Sequence, residues 1–383
     1  MTKRSAAAIL CLAGCLIIAF STGILLFYYI TLVIFFMLAL SLLTVLWMGA
    51  VLKCRCDVSE SQLLHGESMT MEITLLCRCP LPSADFEVTY VLPGERGCTR
   101  FSSRAFSDAR EQVKGMARHV GTYTCGVEKV EIRDLFLFFV RRKPIPGSMR
   151  QVPVLPMPFD IEKPHFVEGD EGGKPLARTT EDYTSPEDTR TYLPGDAMKR
   201  VHWKLSSRRR ELVVRRYEMP SPPDTLILLD CAVPAGGDGV QEGRERLRDA
   251  LCETAVACAG LQMRDASPVR LPVYGENATE FASDHASGLH QLQETLAYQP
   301  FDGEQDFAAV LRMELRRMRR TGAVIIITTR LDAKIVDAVS AIRRMGPSAR
   351  LYLCTFDASP ARECVARLQH HLVEVCYVTP NRE

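Results

Sequence analysis

The sequence predicts two N-terminal transmembrane helices, then an antiparallel β-sandwich, then a doubly wound α/β domain. Three observations predict it. Residues 6–52 carry no charged side chain, residues 69–139 alternate between apolar and polar positions, and residues 225–378 alternate short apolar runs with amphipathic segments. A chain of 383 residues is also too long for one core. With 47 basic and 46 acidic residues, the chain has no global charge that would favour nucleic acid.

The uncharged run is long enough for two spans of about 20 residues each. A secretory leader would have a shorter apolar core and a small-residue cleavage site, and neither is present. Ser21-Thr22-Gly23 breaks the run and Phe27-Tyr28-Tyr29 supplies interfacial aromatics, placing the turn between Ser21 and Thr31. Lys3 and Arg4 precede the first span, and Lys53 and Arg55 follow the second. Basic residues stay on the cytoplasmic side, so a multi-pass protein of the cell membrane is expected, with both termini and the soluble domains in the cytoplasm. Residues 1–53 form this hairpin. Fourteen cysteines suit a reducing compartment. Cys54/Cys56 and Cys77/Cys79 form Cys-x-Cys pairs, but without the further ligand spacing of a zinc site.

Residues 54–158 read as the β-sandwich. Met69–Leu76, Phe86–Val91 and Gly121–Arg133 alternate at period two, separated by turn residues such as Pro93-Gly94. Residues 159–220 form a linker and a distinctive stretch. Its first part, around Glu168–Pro175, is rich in Gly, Glu and Pro and reads as a loop. The distinctive part is Arg190-Thr-Tyr-Leu-Pro-Gly-Asp196, continuing through Trp203-Lys204 to Arg208-Arg-Arg-Glu-Leu212. Pro194-Gly195-Asp196 is a turn, Ala197–Leu205 a short helix capped by Asp196, and Glu211–Tyr217 a strand.

Residues 221–383 show the α/β pattern. Strands are expected at Thr225–Asp230, Val269–Tyr274, Val324–Thr328, Leu351–Thr355 and Leu372–Val378. Helices fall at Gln241–Gln262, His285–Leu296, Phe307–Arg319, Lys334–Arg344 and Ala358–Gln369. In such sheets ligands bind beyond the carboxyl ends of the strands, which places Asp230 and Thr328–Thr329 at the candidate crevice.

The stretch Arg190, Tyr192, Pro194-Gly195-Asp196, Trp203-Lys204, Arg208 and Glu211-Leu212 resembles the signature of the domain-of-unknown-function 58 family. Gly121-Thr-Tyr and Asp134-Leu-Phe resemble two upstream elements of that family, without the glycine of the second. The resemblance implies a membrane hairpin, a β-rich segment and a von Willebrand factor A-like domain. Members are often encoded beside MoxR-type AAA+ ATPases, which implies such an ATPase and other membrane proteins as partners. A von Willebrand factor A-like domain can hold a divalent cation through an Asp-x-Ser-x-Ser loop. Here that loop is Asp230-Cys-Ala-Val-Pro234, with Ala232 and Pro234 at the serine positions. No metal or other cofactor is therefore expected, with Asp230 the one candidate ligand left and Asp238 and Thr328 the further oxygens of a looser site.

Two functional classes follow, with a third as alternative. The first is a non-enzymatic membrane-anchored interaction or assembly protein, in which Trp203 packs into a core between two domains and the basic residues pair internally. The second is an anionic-lipid or nucleic-acid surface at residues 199–216, nucleic acid being the less expected partner. The third is an enzyme, for which no phosphate loop, nucleophile elbow or paired-histidine zinc motif is present and the eight histidines do not gather into ligand spacing.

Overall fold

The computed structural model describes residues 3–76, 85–102, 108–134, 136–161, 186–193, 198, 201–217, 223–234, 241–274, 278–301, 306–318, 321–357 and 361–380. The chain divides into two compact units, residues 1–157 with 293–299, and residues 158–292 with 300–383.

The first unit opens with α1 (Lys3–Thr22) and α2 (Leu25–Val51), both long and apolar enough to cross a membrane. Their turn is Gly23-Ile24, inside the predicted window. Gly23 takes φ +64°, a left-handed conformation that glycine adopts without a Cβ clash.

Two sheets follow. In the first, β1 (Lys53–Val58), β3 (Ser68–Leu76) and β6 (Asp108–Met116) run antiparallel in the order β1-β3-β6. The second contains β2 (Leu63–Leu64), β9 (Arg150–Leu155), β7 (Gly121–Arg133), β4 (Asp85–Leu92) and β5 (Glu95–Ser102), in that order, with β8 (Val140–Pro144) paired to β7. Period-two alternation buries Met69, Met71, Ile73 and Leu75 of β3 in one core with Phe86, Val88, Val130 and Ile132 of the second sheet. The expectation of purely antiparallel pairing needs correction. β2 pairs parallel to β9, which makes the second sheet mixed. A parallel pair needs a long return connection, and here most of the unit lies between the two strands.

In the second unit, β10 (Pro186–Thr191) and β11 (Val213–Tyr217) form an antiparallel ribbon beside α3 (Trp203–Arg209). A six-stranded sheet follows, built from β12 (Asp224–Leu229), β13 (Val269–Val273), β14 (Thr279–Ser283), β15 (Thr321–Thr328), β16 (Ser348–Cys354) and β17 (Glu374–Val378). The spatial order is β14-β13-β12-β15-β16-β17, the doubly wound order 3-2-1-4-5-6. All neighbours are parallel except β13 and β14. The helices of this unit are α4 (Gln241–Arg264), α6 (Phe307–Arg317), α7 (Ala333–Arg344) and α8 (Arg362–His370), while α5 (Leu289–Tyr298) begins in this unit and has residues 293–298 in the first. The strands are continuous apolar runs because both faces are covered. Leu226, Leu228, Val324, Ile326 and Leu351 share a core with Leu311 of α6, Val339 of α7 and Leu368 of α8.

The antiparallel edge strand β14 was not expected. It is held partly by charge: Arg270 of β13 lies 3.1 Å from Glu280 of β14 and 3.0 Å from Asp224 of β12. Arg270 also reaches the fully buried Glu314 of α6, which accepts from Tyr274 and Arg317 as well.

The first unit contains one further joint, between α2 and the β7–β8 hairpin. Met48 and Leu52 of α2 belong to the core of the two sheets. The last carbonyls of a helix have no partner within it. Lys143 Nζ donates to those of Gly49 at 3.0 Å and Leu52 at 2.7 Å, placing a cation at the negative end of the helix dipole. Arg141 donates to the Leu46 carbonyl at 3.3 Å, and a Cβ on Gly49 would lie 2.7 Å from its Cδ, so a larger residue there would displace this guanidinium. Higher on α2, buried Ser41 donates to buried Asp134, whose carboxylate also accepts the backbone N–H groups of Phe136 (3.1 Å) and Phe139 (2.7 Å). Asp134→Ala leaves three donors unsatisfied. It is expected to lower the stability of the full chain in detergent by about 2–3 kcal/mol in a near-ultraviolet circular dichroism melt, with Asp134→Asn intermediate.

Candidate functional site

Strand order reverses between β12 and β15, and the crevice of a doubly wound sheet lies beyond the carboxyl ends of those two strands. Asp230, at the end of β12, is 2% exposed. One carboxylate oxygen accepts from Thr328 Oγ1 at 2.8 Å and Arg330 Nε at 3.1 Å. The other accepts from the Ala232 N–H at 3.2 Å and Arg330 Nη2 at 3.5 Å. Thr328 Oγ1 in turn accepts from the Arg330 N–H at 3.2 Å. The guanidinium thus presents its planar fork to a buried carboxylate and supplies the positive charge there.

Ala232 and Pro234, at the positions where hydroxyls would be needed, are both buried. Asp238 lies outside the described residues. Cys231, beside Asp230, has its thiol pushed up to about 12, first by burial and then by the charge of Asp230. It stays protonated at neutral pH and is no nucleophile. Among the described residues, no three His, Cys, Asp or Glu side chains gather into a metal-binding group. Cys54 and Cys56 lie on β1, while Cys77 and Cys79 fall outside the described residues.

The second candidate is the ribbon. The Tyr192 N–H donates to the Leu212 carbonyl and the His202 N–H to the Val213 carbonyl, each at 2.8 Å. Val201 bridges Val214, and Val201, Val213 and Val214 are buried. These extended pairings explain why the helix runs over Trp203–Arg209 rather than Ala197–Leu205: Val201 and His202 are committed to the ribbon. His202 is the N-cap, its Nδ1 accepting from the Leu205 N–H at 3.3 Å. Buried Ser206 accepts from the Val213 N–H at 2.9 Å and donates to the His202 carbonyl at 3.1 Å, pinning α3 to the strand. Arg190 lies on β10, its side chain outside the described residues, as are Pro194, Gly195 and Asp196.

Trp203 is 59% exposed, which corrects the expectation of a buried inter-domain tryptophan. The pins at Ser206 and His202 fix α3 with its indole facing out. Leu193, Met198 and Leu212 are exposed as well. So are Lys204, Arg208, Arg209, Arg210 and Glu211, and among the described residues none of these four cations forms an ion pair. The signature presents its tryptophan and cations instead of burying them.

Residues 188–350 match the family described as "Protein of unknown function DUF58". No curated protein matches the chain. Among solved structures, it is similar to the VWA domain of SpRpn10, at 10% identity and TM-score 0.30, covering 42% of this chain and 90% of that one. It is also similar to the alkylpurine DNA glycosylase AlkC of Pseudomonas fluorescens, at 15% identity and TM-score 0.18, covering 27% of this chain and 30% of that one. A third is Cwp6 from Clostridium difficile, at 8% identity and TM-score 0.19, covering 85% of this chain and 53% of that one. These likenesses are distant, and the fold is read from the strand order.

Sequence reasoning placed Asp230 and Thr328 at the crevice and missed Arg330. The available signal was a cation two residues beyond a strand whose neighbour ends in Asp. Arg330→Ala is expected to cost about 2–3 kcal/mol in a urea melt, by leaving a buried carboxylate without its charge partner, and Arg330→Lys less. Trp203→Ala, at an exposed site, is expected to change stability by less than about 0.5 kcal/mol in the same measurement.

Proposed function

We propose that this chain belongs to the DUF58 family and is a non-enzymatic, membrane-anchored interaction or assembly protein. Its binding surface is the exposed face formed by Trp203, Lys204, Leu212 and Arg208–Arg210. One observation carries this reading: a large aromatic and four cations, without ion pairs among the described residues, stand exposed on a ribbon and helix held together by buried hydrogen bonds. Trp and Arg are the residues that dominate protein-binding energies, and a rigid scaffold reduces the ordering entropy of binding. A partner with an acidic surface fits, and the family resemblance points to a MoxR-type AAA+ ATPase.

Tyr28 and Tyr29 near one end of α2 and Trp47 near the other support the membrane placement. Tyr28 and Trp47 are separated by about 28 Å at 1.5 Å per residue, close to the hydrocarbon thickness of a bilayer. The basic residues Arg4, Lys53 and Arg55 favour a cytoplasmic position for both termini. The two sheets of the first unit are read as a sandwich that acts as a spacer. The exposed cations also favour the alternative of an anionic-lipid surface at residues 199–216, which the same test separates.

The full chain in nanodiscs of neutral lipid is offered to a purified MoxR-type AAA+ ATPase from the same cell, and affinity is read by biolayer interferometry. Trp203→Ala and Arg208→Glu are each expected to weaken binding about tenfold, equivalent to about 1.4 kcal/mol, with unchanged melting curves. Absence of binding by the wild-type chain sinks the partner assignment. Binding that is lost in neutral discs and restored only by anionic lipid favours the lipid surface.

A further inference from the structure

The β7–β8 hairpin climbs the side of α2. Lys143 contacts the carbonyls of Leu52 and Gly49, Arg141 that of Leu46, and Asp134 the hydroxyl of Ser41. From Leu52 to Ser41 is about 16 Å along the helix axis. Trp47, 53% exposed, is the aromatic near the cytoplasmic end of α2. Ser41 therefore lies about 9 Å deeper than Trp47 along the helix. The hairpin tip, next to Ser41, reaches past the level at which Trp47 would sit.

The tip has a composition that fits that depth. It reads Asp134-Leu-Phe-Leu-Phe-Phe139, and the chain carries no charge between Asp134 and Arg141. Phe136 is 39% exposed and stacks on Phe138 with ring centroids 5.8 Å apart. Leu137 takes φ +59°, a conformation that Gly, Asn or Asp would adopt at less cost in an aqueous turn. Asp134 itself is buried, and its acceptors are used by Ser41, Phe136 and Phe139, so the tip shows apolar groups to its surroundings. Just below come the exposed side chains of Arg141 and Arg142. Apolar tip and cationic base match acyl chains and anionic headgroups in turn.

We propose that the β7–β8 hairpin is a third membrane-inserted element, with Phe136, Leu137 and Phe138 seated among the acyl chains of the cytoplasmic leaflet and Arg141 and Arg142 at the lipid phosphates. This rests on α2 spanning the bilayer, and the test separates the two. Full-length chain is reconstituted in phosphatidylcholine–phosphatidylglycerol vesicles with either plain or acyl-brominated lipid. Trp203→Phe leaves Trp47 as the sole tryptophan; adding Trp47→Phe and Phe136→Trp leaves only the tip. Bromolipid is expected to reduce tip emission about twofold, as it does for interfacial Trp47, while aqueous iodide leaves both unquenched. A tryptophan placed instead at exposed Tyr377, on β17, is expected to respond to iodide alone. Phe138→Trp repeats the tip measurement should Phe136→Trp alter the melting curve. If Trp47 is quenched by bromolipid and the tip tryptophan by iodide only, the hairpin proposal is overturned while the anchor stands. If bromolipid quenches neither, both fall.

Discussion

Lys143 completes the C-terminal end of α2, and much of the first unit depends on that contact. A helix leaving an apolar segment carries carbonyls that nothing in its own chain direction can satisfy. Here the satisfying donor comes from β8, and Arg141 from the same strand bonds a carbonyl one turn earlier. The contact fixes α2 and the hairpin in one register, which lets Met48 and Leu52 enter the core of the two sheets and brings Ser41 to Asp134. Apolar helix and β-rich body are one cooperative structure, with no linker between Val51 and Lys53 to act as a hinge.

What was legible in the sequence follows the reach of the physics behind it. Long apolar runs announce themselves, and so α1, α2, β12, β15 and β16 fall where hydropathy places them. The helices of the second unit were equally plain, because α4, α6 and α7 each keep apolar residues at helical spacing. Edge strands were not: β14 has one buried residue, Phe281, and its register comes from Arg270 and Glu280, a pairing visible only once both strands are placed. β10 was hidden in a polar stretch for the same reason. The contact between Ser41 and Asp134 joins residues in an apolar helix and a distant loop, and no local pattern encodes it.

At the candidate sites, the limits were of another kind. Hydrophobicity alone sends a tryptophan inward, but Trp203 begins a helix of two turns whose orientation is settled by polar pins, Ser206 to Val213 and His202 to Leu205. With those made, the indole stands 59% exposed. At the crevice the loss of hydroxyls at Ala232 and Pro234 could be read directly. The charge of Arg330 was harder to place, because it belongs to a different strand–helix connection and becomes a candidate only once β12 and β15 are read as neighbours.

The Arg330–Asp230 pair has a consequence for how the crevice responds to its surroundings. A cation drawn from solution comes and goes with its concentration, and a loop built on one inherits that dependence. A guanidinium joined to the backbone two residues beyond β15 is present at a fixed local concentration from the moment the sheet forms. The charge that faces Asp230 is then supplied by the chain itself, and it ties Asp230, just after β12, to Arg330, just after β15.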